Sequence, residues 1–325
     1  MEQLLYPAQW LEGHSRRVGY IDGTGSICLT VAADAAFGFN EGRARIKRGG
    51  KIGVIDAAGN LVLDCILASA FDYRFGWSVA SVDGVSRGLL DREGRWGLEP
   101  APREVSSVSA ELYCSKELGE DGWYLRNFRG ESYAGPFPFR TEALSCGRIR
   151  VFEGSGRYRY VGVDGEQVID REFPAAFDFS EDLALVCLGQ RWCYIDVGGV
   201  PKISCVDFQE FPDGSCFHQG LAPVGCLNTR SGIDYFYINT GGRITIGPYG
   251  GTKEFSAHGA AACKAGTDKW GLIDREGRWI AKPEWLLVDS FSGDLARAFR
   301  EAPIRGKAHY LDSAGRVVWV DGERK

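Results

Sequence analysis

The stretch Lys269–Trp279, KWGLIDREGRW, nearly copies an earlier stretch, RGLLDREGRW at Arg87–Trp96. Both fit one template: two apolar residues, an aspartate, two variable residues, a glycine, one variable residue and an apolar residue. The template recurs along the whole chain of 325 residues. A sequence repeated at a fixed period indicates a structural module that is used many times, not a single catalytic motif.

Nine positions of the chain occupy the aspartate slot of this template. Successive slots are 34 to 43 residues apart, and most are 34 to 36 apart. A period of this size is typical of solenoids, propellers and other repeat arrays. We therefore interpret residues 1–325 as a single array, with units centred on Asp22, Asp56, Asp91, Asn127, Gly162, Asp196, Asn239, Asp274 and Asp312.

Each unit contains three short strand patterns. The first follows an aromatic residue and a turn and alternates small and apolar residues, as in FDFSEDLALV from Phe177. The second ends at the aspartate slot and the third follows the glycine, and alternation with a period of two predicts strands. The D-x-x-G between them predicts a bulged hairpin turn, in which the aspartate accepts backbone N–H bonds and the glycine adopts a positive φ.

The fold class follows from the size of one unit. A three-stranded unit cannot bury its apolar face alone, so neighbouring units must stack. The sequence therefore predicts an all-β fold, a tandem array of about nine three-stranded antiparallel β-meander units that forms an open, curved, solenoid-like array. A β-propeller is the alternative. We favour the open array because propeller blades typically hold about four strands and number about four to eight.

The units resemble those of the WG-repeat family, which read roughly F-x-E-G-L-A-x-V followed by K-W-G-Y-I-D-x-x-G-x-x-V-I-x-P. Lys269–Asp274, with Gly277 and Pro283, matches that motif almost completely. The segments Lys51–Asp56 and Arg87–Asp91 match it without the tryptophan. The resemblance covers nearly the whole chain.

The chain departs from the family motif most between Pro100 and Gly156 and around Ser204–Gly220. The resemblance implies a bacterial binding module. Some members of the family resemble immunity or accessory proteins that are encoded beside secreted toxins, so a toxin-neutralising role is one expectation.

Composition excludes several classes of function. The net charge is −5, which argues against a nucleic-acid binder or a protein of anionic membrane surfaces. No apolar run is long enough to insert in a membrane, and the first residues do not read as a secretory signal. Ten cysteines without a C-x-x-C pair favour free thiols in a reducing compartment. We therefore expect a cytoplasmic protein.

No catalytic or metal-binding set stands out. Each D-x-x-G turn supplies one aspartate, and three slots hold asparagine or glycine, so a structural turn is favoured over a calcium loop. The four histidines do not pair at metal-ligand spacing, and Cys216 beside His218 has no evident orienting partner. Most of the nine tryptophans occupy repeat positions. We expect no cofactor, no metal and no enzymatic activity.

Two segments are candidates for partner binding because loops inserted into repeat arrays often form the binding face. Glu99–Gly122 carries six acidic residues against two basic ones, and CVDFQEFPDGSC from Cys205 lengthens one spacing to 43 residues. The candidate partner-binding residues are Glu104, Glu111, Glu117, Glu120, Asp121, Asp207, Glu210 and Asp213.

The expected function is a non-enzymatic protein-binding scaffold. Its most concrete form is a cytosolic immunity protein that binds and inhibits a basic bacterial toxin, because complementary charge speeds and orients association. The alternative is a repeat module that binds glycans or cell-wall fragments through exposed aromatic residues.

Overall fold

The computed structural model describes residues 4–205, 207–228, 232–303 and 306–323. Within these ranges the regular structure is β-strand, arranged in nine small antiparallel sheets, apart from one 3₁₀ helix at Pro212–Ser215. The all-β class is confirmed. In the same ranges, no helix has the length and apolar composition needed to cross a membrane.

The chain forms two compact units. The first comprises the residues up to Asp22, Ser26–Val168 and the end of the chain from Gly322, and the second comprises Gly23–Gly25 and Ile169–Asp321.

The first unit contains five sheets, and the strands of each sheet are adjacent in chain order. They are β1 (Tyr6–Glu12), β2 (Ser15–Ile21) and β3 (Ile27–Val31); β4 (Ala35–Asn40), β5 (Arg43–Arg48), β6 (Lys51–Asp56) and β7 (Leu61–Leu67); β8 (Ser69–Ala70), β9 (Trp77–Ser81), β10 (Arg87–Asp91) and β11 (Trp96–Ala101); β12 (Arg103–Ser107), β13 (Leu112–Glu117), β14 (Trp123–Asn127) and β15 (Ser132–Phe137); and β16 (Ile149–Gly154) with β17 (Arg157–Val161).

The second unit contains four sheets of the same kind. They are β18 (Leu183–Leu188), β19 (Arg191–Asp196) and β20 (Pro201–Ser204); β21 (Leu221–Leu227), β22 (Ile233–Asn239) and β23 (Ile244–Tyr249); β24 (Gly251–Thr252), β25 (Ala260–Cys263), β26 (Trp270–Ile273) and β27 (Trp279–Trp285); and β28 (Leu287–Val288), β29 (Ala296–Phe299), β30 (His309–Leu311) and β31 (Val317–Val320).

The expected open, solenoid-like array of three-stranded meanders is wrong. Five of the nine sheets in the described residues have four strands, because a further strand precedes the alternating run. Repeated four-stranded antiparallel sheets with their strands in chain order are typical of the blades of a β-propeller, and the fold belongs to that class. In three of these five sheets the extra strand escaped the sequence pattern because β8, β24 and β28 are only two residues long.

The chain ends also contradict an open array. Within the first unit, the Gly322 N–H donates to the carbonyl oxygen of Gln9 on β1 at 2.8 Å. Within the second unit, a β-carbon built on Gly23 would lie 3.4 Å from the Asp294 carboxylate. An open array of nine units would hold its first and last residues apart.

The D-x-x-G segments form the hairpin turns that the sequence predicts. In the turn after β6, Oδ1 of Asp56 accepts the N–H groups of Ala58 at 3.0 Å and Asn60 at 2.8 Å. Gly59 has a φ of +85°. The same pair of bonds is formed in the turns of Asp91, Asn127, Asp196, Asn239, Asp274 and Asp312.

The turn glycine also sets the contact with the preceding sheet. A β-carbon on Gly59 would lie 2.5 Å from the Leu29 side chain of β3. A β-carbon on Gly315 would lie 2.0 Å from the carbonyl oxygen of Ile280 on β27. Each of these turns therefore rests on the last strand of the sheet before it, and only glycine leaves room for that approach.

A buried tyrosine two residues before the aspartate slot ties several sheets to the segment that follows. The hydroxyl groups of Tyr20, Tyr194 and Tyr237 donate to the carbonyl oxygens of Phe37, Ser215 and Lys253 at 2.6 to 2.9 Å. All three rings are fully buried. A buried hydroxyl group needs such a partner, so this slot combines apolar packing with one fixed hydrogen bond.

We predict that Gly315→Ala destabilises the protein more than Gly266→Ala. Both glycines have positive φ, +76° and +73°, but a β-carbon on Gly266 would meet nothing within 4 Å. The backbone strain should cost about 1–2 kcal/mol at either site, and the clash with β27 should add about 1–3 kcal/mol at Gly315. Urea unfolding measures both, and equal losses would show that the turn does not pack against the preceding sheet.

Candidate functional site

The acidic segment Glu99–Gly122 is not an inserted loop. It comprises the end of β11, the strands β12 and β13, and the turns around them. Glu104 is exposed on β12, which is an edge strand of its sheet. Glu111 is exposed in the turn before β13, and Asp121 is exposed before β14, where it accepts the Tyr124 hydroxyl at 3.1 Å.

Glu117 and Glu120 are paired within the chain. Glu117 forms an ion pair with Arg103 at 3.2 Å. Glu120 binds the guanidinium of Arg126, which is only 8% exposed, and also accepts the Glu117 N–H at 2.7 Å. A buried cation needs a paired carboxylate, so Glu120 stabilises the sheet.

The segment from Cys205 is partly built into the core of the second unit. Phe208 and Phe211 pack against a cluster of buried residues from β18 to β22. The Gly225 N–H donates to the Glu210 carbonyl oxygen at 2.8 Å, so the segment adds a bridge to β21. The phenylalanine side chains explain why the added residues do not form a free loop.

The acids of this segment have different environments. Asp207 is exposed. The carboxylate of Glu210 accepts the Tyr235 hydroxyl, and burial together with this bond raises the pKa of Tyr235 to about 12. Asp213 lies in the 3₁₀ helix, and its side chain is outside the described part of the structure. The candidate acids therefore form two sets, one in each unit.

The recurring aspartates bond to their own turns. The pKa of Asp196 lies below its usual value because the carboxylate accepts hydrogen bonds from the Val200 N–H and the Lys202 side chain. Among the described residues, no group of three or more His, Cys, Asp or Glu side chains is placed to hold a metal ion. The interpretation of the slot as a structural turn agrees with this geometry.

We predict that Asp274→Asn keeps the stability of the wild type within about 0.5 kcal/mol, because Asn127 and Asn239 form the same two backbone bonds. Asp274→Ala should lose about 1–2 kcal/mol, as at a lost helix cap. Thermal unfolding with and without added calcium measures the effect. Stabilisation of the wild type by calcium, or equal losses in the two variants, would contradict a purely structural role.

Two histidines join consecutive repeats of the second unit. Nε2 of His218, before β21, lies 3.5 Å from Glu254, and Nε2 of His258, before β25, lies 3.1 Å from Asp294. The hydrogen bond to Glu254 raises the pKa of His218, and the same bond lowers the pKa of Glu254. Cys216 instead lies 3.9 Å from the Asp178 carbonyl oxygen. The sequence alone did not reveal these cross-repeat pairs.

We predict that His218→Gln lowers the melting temperature more at pH 6 than at pH 8.5. A raised histidine pKa stabilises the fold below the usual value of 6.5, and this contribution is lost as the pH rises through the folded-state pKa. Glu254 and Glu181 are the charged groups that act on this imidazole. His14→Gln, in the turn between β1 and β2, is the control. A loss that does not change with pH would mean that the pair contributes no charge interaction.

Surface cavities are a feature that the sequence did not reveal. One, of about 170 Å³ in the first unit, is lined by the aromatic rings of Phe139, Phe152 and Tyr158 together with charged side chains. Another, of about 340 Å³ in the second unit, lies at the sheet β18–β20 and is lined partly by Arg191 and Trp192. The second occurs where the WG motif reads Trp192-Cys193, a departure that was visible in the sequence.

Comparison with known proteins identifies the repeat. Residues 19–51, 158–192 and 270–299 match the model of the WG-containing repeat, so the resemblance is confirmed at three places. Apo AztD from Citrobacter koseri is similar with a TM-score of 0.46 and 12% identity, over 99% of this chain and 95% of that one. BamB from Moraxella catarrhalis is similar with a TM-score of 0.37 and 13% identity, over 97% and 93%. No curated protein sequence matches significantly.

Proposed function

Since the chain carries WG repeats, we propose that it is a non-enzymatic protein-binding scaffold. The observation that supports this most is the use of the recurring polar residues. The aspartate and asparagine slots bond to backbone N–H groups of their own turns, as at Asp56 and Asn239, and the tyrosine slot bonds to the next segment. These residues build the repeat and leave the less regular surface to bind a partner.

In its more specific form, the scaffold is a cytosolic immunity protein that blocks a basic bacterial toxin. The exposed carboxylates of Glu104, Glu111 and Asp121 lie at the edge strand and at the turns of one sheet, β12–β15. Together with a net charge of −5, they favour a cationic partner. The negative charge would attract such a partner at long range. Once bound, the margin of the sheet would cover the toxin and sterically prevent the toxin's substrate from reaching it.

A glycan-binding module is the second candidate, and the smaller cavity favours it. The Phe152 ring lies 4.7 Å from those of Phe139 and Tyr158, between centroids. Beside them, Arg150 pairs with Glu142 at 3.5 Å. Aromatic faces next to fixed donors and acceptors suit one sugar ring. Calorimetric titration of the wild type and of Tyr158→Ala with soluble cell-wall fragments tests this function. Identical heats of binding for the two proteins would exclude this cavity as the glycan-binding site.

We predict that the triple variant Glu104→Gln, Glu111→Gln, Asp121→Asn binds a basic toxin domain encoded beside its gene with an association rate about tenfold lower at low salt. The difference should shrink at high salt because exposed charges are screened. Stopped-flow fluorescence measures the rate.

The control removes three other exposed carboxylates, with Glu93→Gln, Glu166→Gln and Glu276→Gln. It changes the net charge equally and should slow association less than about twofold. An equal loss in both triple variants would assign the effect to net charge and not to the sheet β12–β15. Absence of binding by the wild type would overturn the immunity role.

A further inference from the structure

We propose that the cavity at the sheet β18–β20 binds a small anionic ligand with a flat aromatic body, such as an aromatic carboxylate, sulfonate or phosphate ester. The cavity has a volume of about 340 Å³, at the lower end of the range typical of small-molecule sites, about 300–1,000 Å³. This inference is independent of the proposed protein partner, which would bind elsewhere on the chain.

The cavity arises where the sheet departs from the WG motif. In β10 and β26, the glycine after the tryptophan slot lets the last strand of the sheet come close. A β-carbon on Gly88 or Gly271 would lie 2.4 Å from a carbonyl oxygen of that last strand, β11 or β27. In the sheet β18–β20, Cys193 occupies this slot, opposite Ser204. The third strand cannot approach a cysteine side chain as closely.

Two other sheets in which a last strand faces a large residue in this slot compensate for it on that strand. Tyr124 and Phe236 replace the glycine, and Gly135 and Gly247 then lie on the facing strands, where a β-carbon would lie 2.8 Å or less from these rings. Neither β19 nor β20 contains a glycine. The space beside Cys193 therefore stays open, because this sheet combines a side chain in the slot with two facing strands that lack glycine.

The walls of the cavity suit a flat apolar body. Leu188, Pro201 and Ile203 line it together with the indole of Trp192. The Trp192 ring packs 5.2 Å from Phe211 and 6.0 Å from Phe177, between centroids. Because these neighbours already fix the indole, a ligand that stacks on it would lose little additional side-chain entropy.

The charge of the cavity favours an anion. Arg191 and Lys202 both line it and both are exposed. Within the part of the chain that the structure describes, Arg191 has no acidic partner, whereas Lys202 lies 2.9 Å from Asp196. Two cations of the cavity wall, Arg191 and Lys202, therefore stand against the one carboxylate that pairs with Lys202, which makes this a basic site in a chain whose net charge is −5. A guanidinium group can bind a carboxylate, sulfonate or phosphate through two parallel hydrogen bonds.

Two fluorescent probes with the same ring system test the proposal. The anionic probe is 8-anilinonaphthalene-1-sulfonate, and the neutral one is N-phenyl-1-naphthylamine, which lacks the sulfonate. We expect the folded wild type to bind the anionic probe at one site, and the double variant Arg191→Gln, Lys202→Gln to bind it about tenfold more weakly. The neutral probe should bind both proteins equally. The control, Arg48→Gln with Lys51→Gln, removes two exposed cations near the turn between β5 and β6 and should bind both probes as the wild type does.

Modification of Cys193 locates the probe. This thiol lines the cavity and is 7% exposed, so N-ethylmaleimide should modify it slowly. The anionic probe should slow the reaction further, as measured by peptide mass spectrometry. Unchanged Cys193 modification would place the probe elsewhere and overturn the proposal. Two other results would also overturn it. One is that the control variant loses as much affinity for the anionic probe as the variant Arg191→Gln, Lys202→Gln does. The other is that Arg191→Gln, Lys202→Gln keeps both the affinity for the anionic probe and the melting temperature of the wild type.

Discussion

A single side-chain oxygen that accepts two backbone N–H groups, as it does in seven of the repeat turns, is the interaction on which the structure depends. It fixes the path between the last two strands of a sheet, as Asp56 does between β6 and β7 by accepting the N–H groups of Ala58 and Asn60. The turn needs a residue with positive φ, and the glycine that supplies it also lacks the side chain that would hold the preceding sheet away. One local motif therefore determines both the hairpin and the spacing between sheets, which explains why the sequence repeats it with so little change in period.

This use of the motif separates the residues that build the fold from those available for binding. Where the motif is intact, as around Trp270, polar side chains bond within the turn and apolar ones are buried. Where it is altered, other features arise: exposed carboxylates at the margins of β12–β15, and a basic cavity beside Cys193. The two sites differ in charge, and they suit different ligands. The proposed partner and the proposed small anion would therefore depend on different residues of the chain.

The sequence predicted much of the local structure and less of the assembly. The turns, the three main strands of most repeats and the all-β class could be predicted because they depend on residues close together in the chain. The two-residue strands, such as Ser69–Ala70, could not be predicted because so short a strand shows no alternation. Without them the repeat pattern predicts three strands in each unit and favours an open array over a propeller, which the structure contradicts.

The candidate sites show the same limit. The acids of Glu99–Gly122 were predicted as one binding loop, but Glu117 and Glu120 pair with arginines that the sequence could not assign to them. Phe208 and Phe211 are buried against strands that precede and follow them, so their role could not be derived from the segment itself. The larger cavity depends on the absence of glycine from two facing strands, which becomes visible only when their register is known.

Hydrogen exchange by NMR tests the central role of the turn most directly. The amide of the fourth residue after each aspartate or asparagine slot, such as Arg278, donates to the slot side chain. We expect these amides to exchange within about tenfold of the central strand amides, because opening them requires the sheet to open. Amides of the loops that precede the strand before each turn, such as Gly266 between β25 and β26, should exchange at rates near those of an unfolded chain. Equally fast exchange in turns and loops would contradict the account, because the turn could then open without disturbing the sheets around it.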